Sequence, residues 1–410
     1  MRGTELLVPA GSLETLRVAV DYGANAVYLG GEAFGLRANA KNFTIQEIRE
    51  GVRIAHEKRV KVFVTANILA HNYDMPGVRE YFTELRDTGI DAVLIADPGV
   101  FMLAKELLPE TIELHISTQA NNTNYETFLF WHRLGAKRVV CARELSLSEI
   151  REIRRRVPEE MEIEAFVHGA MCMSYSGRCM LSNYMTGRDA NRGECTHPCR
   201  WKYSVQEESR PGEYFPVFEN ERGSFLFNSK DLCMIEHIPE LIEAGVNSLK
   251  IEGRMKTALY CATVARTYRR AIDDYLESPE RYCANMEWYK TEIGKCTHRE
   301  FTTGFYYGKP QAEDHIYDSS TYVTGSTYLG TVQESDGAWC YLEQKNKFSV
   351  GEQLEIMQPD GTDILAEVLE IRDSETDLPQ ASCPHARQRL KVRLSVCPVP
   401  GNLLRAGGAS

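Results

Sequence analysis

Four times before Arg254 the chain repeats one phrase, in which a helical stretch ends at glycine, an apolar residue follows, two residues pass, and a short apolar run begins. It reads Gly23-Ala-Asn-Ala-Val-Tyr-Leu-Gly30, Gly89-Ile-Asp-Ala-Val-Leu-Ile-Ala96, Gly135-Ala-Lys-Arg-Val-Val-Cys-Ala142 and Gly245-Val-Asn-Ser-Leu-Lys-Ile-Glu252. Glycine at a helix C-terminus adopts the left-handed conformation that turns the chain back toward a parallel strand. The phrase is the grammar of αβ units.

Strands are expected at Leu6–Pro9, Ala26–Leu29, Val60–Thr65, Ala92–Ala96, Ile112–Ile116, Arg138–Ala142, Ile163–Val167 and Ser248–Ile251. Short, nearly all-apolar strands alternating with helices are buried on both faces, which fits a closed (βα)8 barrel of the TIM type. Thr44-Ile-Gln-Glu47 and Ser146-Leu-Ser-Glu149 read as capping boxes at helix starts. An open doubly wound sheet is the alternative, but no glycine-rich dinucleotide fingerprint follows the first strand.

The barrel is expected over residues 1–260, with a cysteine-rich insertion at about 168–233 after the seventh strand. Asn228-Ser-Lys-Asp231 reads as the opening of the helix into strand eight, and the insertion then covers the catalytic end, where βα loops gather. Thr257 to about Asp274 reads as an amphipathic helix, with apolar Leu259, Ala262, Val264, Ala265 and Ala271 among Arg266, Arg269 and Arg270, and residues 261–320 as a whole read as a helical and irregular linker. Residues 321–410 change texture to short strands and turns, at Tyr328–Val332, Trp339–Leu342, Leu354–Met357, Ala366–Ile371 and Leu390–Leu394, which suits a small β-barrel.

The insertion places Cys172, Cys179, Cys195 and Cys199 within 28 residues, and Cys233 follows, out of 12 cysteines in all. The start MRGTELLVPAG lacks the pattern of a secretory signal, so a reducing, cytoplasmic setting is expected, in which thiols bind metal or react. Only Cys195 and Cys199 are tightly spaced, whereas structural zinc sites use two tight pairs. Wide spacing from several loops suits an iron-sulfur cluster. Zinc, and plain burial of apolar cysteines, remain open on spacing alone.

The run Glu164-Ala-Phe-Val-His-Gly-Ala-Met-Cys172 through Ser176-Gly-Arg-Cys179-Met-Leu-Ser182 resembles the signature of peptidase family U32, the collagenase-like peptidases. Val8-Pro-Ala-Gly11 and Lys250-Ile-Glu-Gly-Arg254 match as well, so the resemblance covers most of residues 4–256. Several members of that family are oxygen-independent hydroxylases carrying a 4Fe-4S cluster. They act on the tRNA wobble uridine with prephenate, on ribosomal RNA, or on a ubiquinone precursor. By length and by its small last domain the chain is most similar to the tRNA branch. The resemblance therefore implies 5-hydroxyuridine formation in tRNA, a 4Fe-4S cluster held by Cys172, Cys179, Cys195 and Cys233, prephenate as co-substrate, and an electron-transfer or cluster-assembly partner. Cys199 is left as a spare thiol that could replace Cys195. Hydroxylation of another RNA or of a quinone precursor is an alternative, as is peptidase activity. Against the last, the chain contains neither Gly-x-Ser-x-Gly nor His-Glu-x-x-His, although a Cys172–His168 pair is conceivable.

Polar residues at the C-terminal ends of barrel strands are the ones such enzymes use. Here they are Gly11, Gly30, Gly31, Asn67, Asp97, Ser117, Gln119, Arg143, Glu144, His168, Glu252 and Arg254. Asn67, Gln119, Glu144, Arg143 and Arg254 are expected to bind substrate. The two arginines can clamp the carboxylates of a dianion such as prephenate, unless they serve only as ion-pair partners of Glu144 or Glu252. His168 and Glu252 are the candidates for proton chemistry. A net charge of -11 excludes bulk attraction to nucleic acid, so tRNA contact must be local. Arg200, Trp201 and Lys202, after the cysteines, combine stacking with phosphate contact and are the expected RNA-binding residues. Arg151 to Arg156, and Arg387, Arg389, Lys391 and Arg393, are further basic runs. No apolar run approaches the roughly 20 residues that span a bilayer, so no membrane partner is expected.

Overall fold

The computed structural model describes residues 3–32, 34–35, 42–172, 174–201, 204–205, 215–216, 228–309, 315–316, 323–385 and 387–407. They divide into two units. The first comprises Met1–Leu16, Asn25–Met255 and Arg299–Tyr322; the second comprises Arg17–Ala24, Lys256–His298 and Val323–Ser410.

All eight expected strands are present in the first unit. They are β1 (Glu5–Pro9), β2 (Ala26–Gly30), β3 (Lys61–Ala66), β4 (Ala92–Ile95), β5 (Glu113–Ile116), β6 (Arg138–Val140), β7 (Glu162–Ala170) and β9 (Ser248–Ile251). Each pairs in parallel with the next, and β9 pairs with both β7 and β1, which closes the barrel. The helices between them include α2 (Ile45–Glu57), α3 (Met75–Leu85), α4 (Pro98–Leu107), α5 (Tyr125–Leu134), α6 (Leu147–Arg156) and α8 (Ile238–Glu243). Gly89, Gly135 and Gly245 have φ of 83, 100 and 84°, so the glycines do reverse the chain in the left-handed conformation. Both capping boxes form, Thr44 with Glu47 and Ser146 with Glu149.

The barrel interior is less apolar than its strands suggest. Arg138, buried, bonds Glu5 at 2.6 Å, Glu162 at 2.6 Å and Glu164 at 3.1 Å. Lys250 bonds the second Glu164 oxygen at 2.6 Å. Burial opposes the charge on Glu164, but Lys250 and Arg138 outweigh it and hold the carboxyl below its ordinary pKa. Every charge in this layer is answered, as a low-dielectric interior requires.

After β7 the chain departs from expectation. Asn228-Ser-Lys-Asp231 does not open a helix: β8 (Asp231–Cys233) runs antiparallel to β7, with Cys233 opposite His168, and α8 begins only at Ile238. Asp231 is buried and binds the Arg299 guanidinium at 2.6 Å, which fixes that segment as strand.

In the second unit, the expected helix from Thr257 is α9 (Ala258–Glu277), and the stretch read as linker continues as α10 (Pro279–Ala284) and α11 (Met286–Gly294). Lys256–His298 groups with the C-terminal strands, whereas Arg299–Tyr322 groups with the first unit. The five expected strands appear as β10 (Ser326–Ser335), β11 (Cys340–Glu343), β12 (Gln353–Met357), β13 (Ile364–Asp373) and β14 (Arg389–Leu394). A sixth, β15 (Leu403–Gly407), pairs with β12 and β10, and β12 pairs with β13, so the antiparallel sheet closes on a core that includes Leu342, Phe348, Ile356, Val368 and Val392. Among the described residues no helix is long and apolar enough to cross a membrane.

Candidate active site at the barrel mouth

Where β2 to β9 end, side chains from the strands and from the cysteine insertion enclose a cavity of about 260 Å³. Asn67, Ser117, Gln119, Arg143, Glu252 and Arg254 border it, as expected of strand-end residues, together with Tyr28, Thr65, Phe166 and Lys250. The insertion is folded down onto the mouth. Gly177 lies at φ 73°, and a Cβ there would come within 2.9 Å of the Gln119 carbonyl oxygen, so only glycine allows this approach.

Three cations face the cavity against one carboxylate. Arg143 stacks 3.9 Å from the centre of the Phe166 ring and donates to Ala170 O at 3.0 Å and Glu252 Oε2 at 3.2 Å. Its Nε is buried with no hydrogen-bond partner among the described residues. Arg254 donates to Thr65 Oγ1 and Asn42 Oδ1, both at 3.0 Å. Lys250 Nζ lies 4.5 Å from the Tyr28 ring centre and 5.3 Å from that of Phe166. Glu164 answers Lys250 and Glu252 answers Arg143, and the buried Arg143 Nε is the donor turned toward an anionic ligand.

Cys172, Cys179, Cys195 and Cys199 all border the same cavity, so four thiols meet the cationic pocket. Cys233 does not border it, being held on β8 opposite His168.

Family models extend this picture over nearly the whole chain: Peptidase family U32 matches residues 11–316 and the Peptidase family U32 C-terminal domain matches residues 324–405. The chain belongs to peptidase family U32. Within that family it is 41% identical to tRNA hydroxylation protein P1 of Bacillus subtilis (strain 168), over 98% of this chain and 94% of that protein. It is 39% identical to tRNA hydroxylation protein P of Escherichia coli (strain K12), over 87% of this chain and 86% of that one. A more distant likeness, 38% over 67% of this chain and 40% of the other, is to the 23S rRNA 5-hydroxycytidine C2501 synthase of Escherichia coli (strain K12).

The U32 chain offers the right donors for an iron-sulfur cluster, since soft thiolates in sufficient number border one cavity. Among the described residues, however, no three His, Cys, Asp or Glu side chains stand close enough together to hold a metal ion. The four thiols border the cavity without being closed into a cage.

Other expected site residues lie elsewhere. Asp97 caps α4 by accepting from Val100 N at 2.9 Å. Glu144 does not border the cavity; burial raises its carboxyl above the ordinary value, against its backbone hydrogen bond and Arg143. His168 is buried, 5.7 Å from Phe301 ring to ring, and does not border the cavity, so the Cys172–His168 pair is not brought together there. Arg155 and Arg156 pair with Glu152 and Arg154 binds backbone carbonyls, which makes that basic run a helix face. Arg200 ends the turn Pro198–Arg200, Trp201 is exposed, and Lys202 lies outside the described residues. Of the residues sequence reading missed, Lys250 had a signal: in Lys250-Ile-Glu-Gly-Arg254 the strand period puts Lys250 on the face of Glu252.

Proposed function

We propose that this chain hydroxylates tRNA, converting the wobble uridine to 5-hydroxyuridine without molecular oxygen, with prephenate as co-substrate and a 4Fe-4S cluster as resident cofactor. The observation that carries this reading is the meeting of a thiol-bearing insertion with Arg143, Lys250 and Arg254 in one cavity, in a chain 41% identical over 98% of its length to a tRNA hydroxylation protein. Cys172, Cys179, Cys195 and Cys233 would hold the cluster, whose role is to carry electrons to and from the bound reactants. Cys233, the proposed fourth ligand, sits on a strand paired to β7 and outside the cavity lining; Cys199, on the turn Pro198–Arg200, is the spare thiol. Arg143, through its buried Nε, and Arg254 receive the carboxylates of a dianion. Lys250, held by Glu164, lines the same cavity. Glu252 is the carboxylate on the cavity wall and the group assigned to proton transfer, oriented by Arg143. Arg200, Trp201 and Lys202 contact the RNA. The setting of this chemistry is the cytoplasm, where tRNA resides and thiols stay reduced.

The test is 5-hydroxyuridine content in tRNA from cells lacking the native enzyme and complemented with this chain, alongside iron and sulfide content of anaerobically purified protein. Restored hydroxyuridine and bound iron are expected. Alanine at Cys172, Cys179, Cys195 or Cys233 should remove most of the iron, and Cys199→Ala little. Unmodified tRNA would refute the reading, and full iron content in Cys233→Ala would transfer the fourth ligand to Cys199.

A further inference from the structure

Exposed aromatic rings that cluster mark binding surfaces, and here one lines the cavity while two more stand on segments joined to its wall. Tyr184 is 85% exposed, Tyr73 71% and Tyr175 50%. Each is tied to the cavity wall. Tyr175 borders it directly. Tyr184 lies on α7 (Leu181–Thr186), one turn beyond Leu181, which borders it. Tyr73, in the loop after β3, stacks on His71 with ring centres 5.4 Å apart. Arg192 sits 5.1 Å over the Tyr73 ring and binds Asp74 at 2.7 Å, and its neighbour Asn191 is again a wall residue.

The helix that carries Tyr184 is not held by burying apolar surface. Its one buried residue is Ser182, whose hydroxyl lies 3.1 Å from Thr196 Oγ1 and accepts from Thr196 N at 3.1 Å. A hydroxyl network thus fixes α7 while Tyr184 and Met185 are turned outward. Packing does not account for a tyrosine at that position. The surrounding charge points to the occupant: residues 172–201 carry Arg178, Arg188, Arg192 and Arg200 against Asp189 and Glu194, in a chain of net charge -11. Exposed aromatic rings beside a cavity, on a segment richer in arginine than in carboxylates, suit unpaired nucleotides, because every base offers a π-face and every link a phosphate.

We propose that Tyr73, Tyr175 and Tyr184 are stacking platforms around the cavity mouth for the unpaired nucleotides that flank the target base. The proposal rests on the RNA reading above. A base that enters the cavity leaves its stack, and the rim tyrosines replace the stacking its neighbours lose.

The test uses the full chain with its iron content measured, an anticodon stem-loop RNA, and Tyr73→Ala, Tyr184→Ala and Tyr184→Phe variants. Affinity is read by fluorescence anisotropy, and hydroxylation in the same preparations. Each alanine should weaken binding roughly 5- to 100-fold, raising KM more than it lowers kcat, with iron unchanged. Tyr184→Phe, which keeps the ring, should bind like the parent. Parent-level affinity in both alanine variants, with an active parent, would overturn the platform and leave the rim to a protein partner. An inactive parent would instead count against the RNA reading itself.

Discussion

Arg254 shows how much of the site depends on the placement of one side chain. Its two terminal nitrogens are spoken for by Thr65 and Asn42, each at 3.0 Å, so the guanidinium plane is fixed. Gly30, at the end of β2, leaves the room for it: a Cβ at Gly30 would lie 2.4 Å from Arg254 Nη1. Sequence reading picked out Gly30 and Arg254 separately, as polar or glycine positions at strand ends; that one makes space for the other follows only from the fold. Gly30→Ala should therefore displace the guanidinium without altering any polar group, and Arg254→Lys should keep the charge but lose the planar fork. Loss of a charge-assisted hydrogen bond costs about 1.5–3 kcal/mol, so both variants should lose roughly 10- to 100-fold in kcat/KM for the co-substrate. Steady-state kinetics against prephenate, the proposed co-substrate, with iron content as control, checks this. Parent-like kinetics in both would confine Arg254 to a structural role.

At the scale of elements, local signals located what local forces build. The barrel strands were legible because four of the eight follow a glycine turn and all are short apolar runs, and the capping boxes because they are complete within four residues. What was missed depends on distant partners. β8 exists because Asp231 meets Arg299, 68 residues on. The helix of α9 was legible from its amphipathic pattern, but nothing nearby reveals that α9 and α11 share buried charge with the last strands. Arg266 of α9 binds Asp363 at 2.6 Å and also Glu292 of α11, and Arg405 of β15 binds Glu292 at 2.7 Å and Asp363 at 2.8 Å. Burial works against the Glu292 carboxylate, but the Arg405 hydrogen bond and the charges of Arg266, Arg405 and Lys295 prevail and lower its pKa from 4.5 to about 2. A lowered carboxyl pKa stabilises the fold above pH 4.5 and loses that effect as pH falls toward about 2. Glu292→Gln should thus destabilise the protein by about 3–5 kcal/mol at pH 7. The gap to the parent should narrow as pH falls below 4.5. Urea denaturation of both proteins across this range measures it, and a gap independent of pH would deny Glu292 its part in the network.

For the molecule as a whole the governing quantity is charge. With 58 acidic against 47 basic residues, it repels a polyanion everywhere except where cations are concentrated. Besides the cavity rim, the second unit carries such a place. The Trp339 ring, just before β11, has Lys391 at 4.8 Å, Arg372 at 5.4 Å and Arg393 at 5.6 Å from its centre. Strand alternation on β14 puts Arg389, Lys391 and Arg393 on one face, with Leu390, Val392 and Leu394 buried beneath. Glu370 and Asp377 pair with the cations, which holds them extended on that face. If this face meets tRNA away from the anticodon, it contributes to binding of the whole molecule and nothing to a short fragment. Lys391→Glu combined with Arg393→Glu should then weaken full-length tRNA binding and lower its salt slope by roughly 1–2, one phosphate per lost cation. Affinity for the isolated anticodon stem-loop should stay at the parent value. Titration of both RNAs over a range of salt concentrations makes the comparison, and equal slopes for parent and double variant on full-length tRNA would show that this face does not touch RNA.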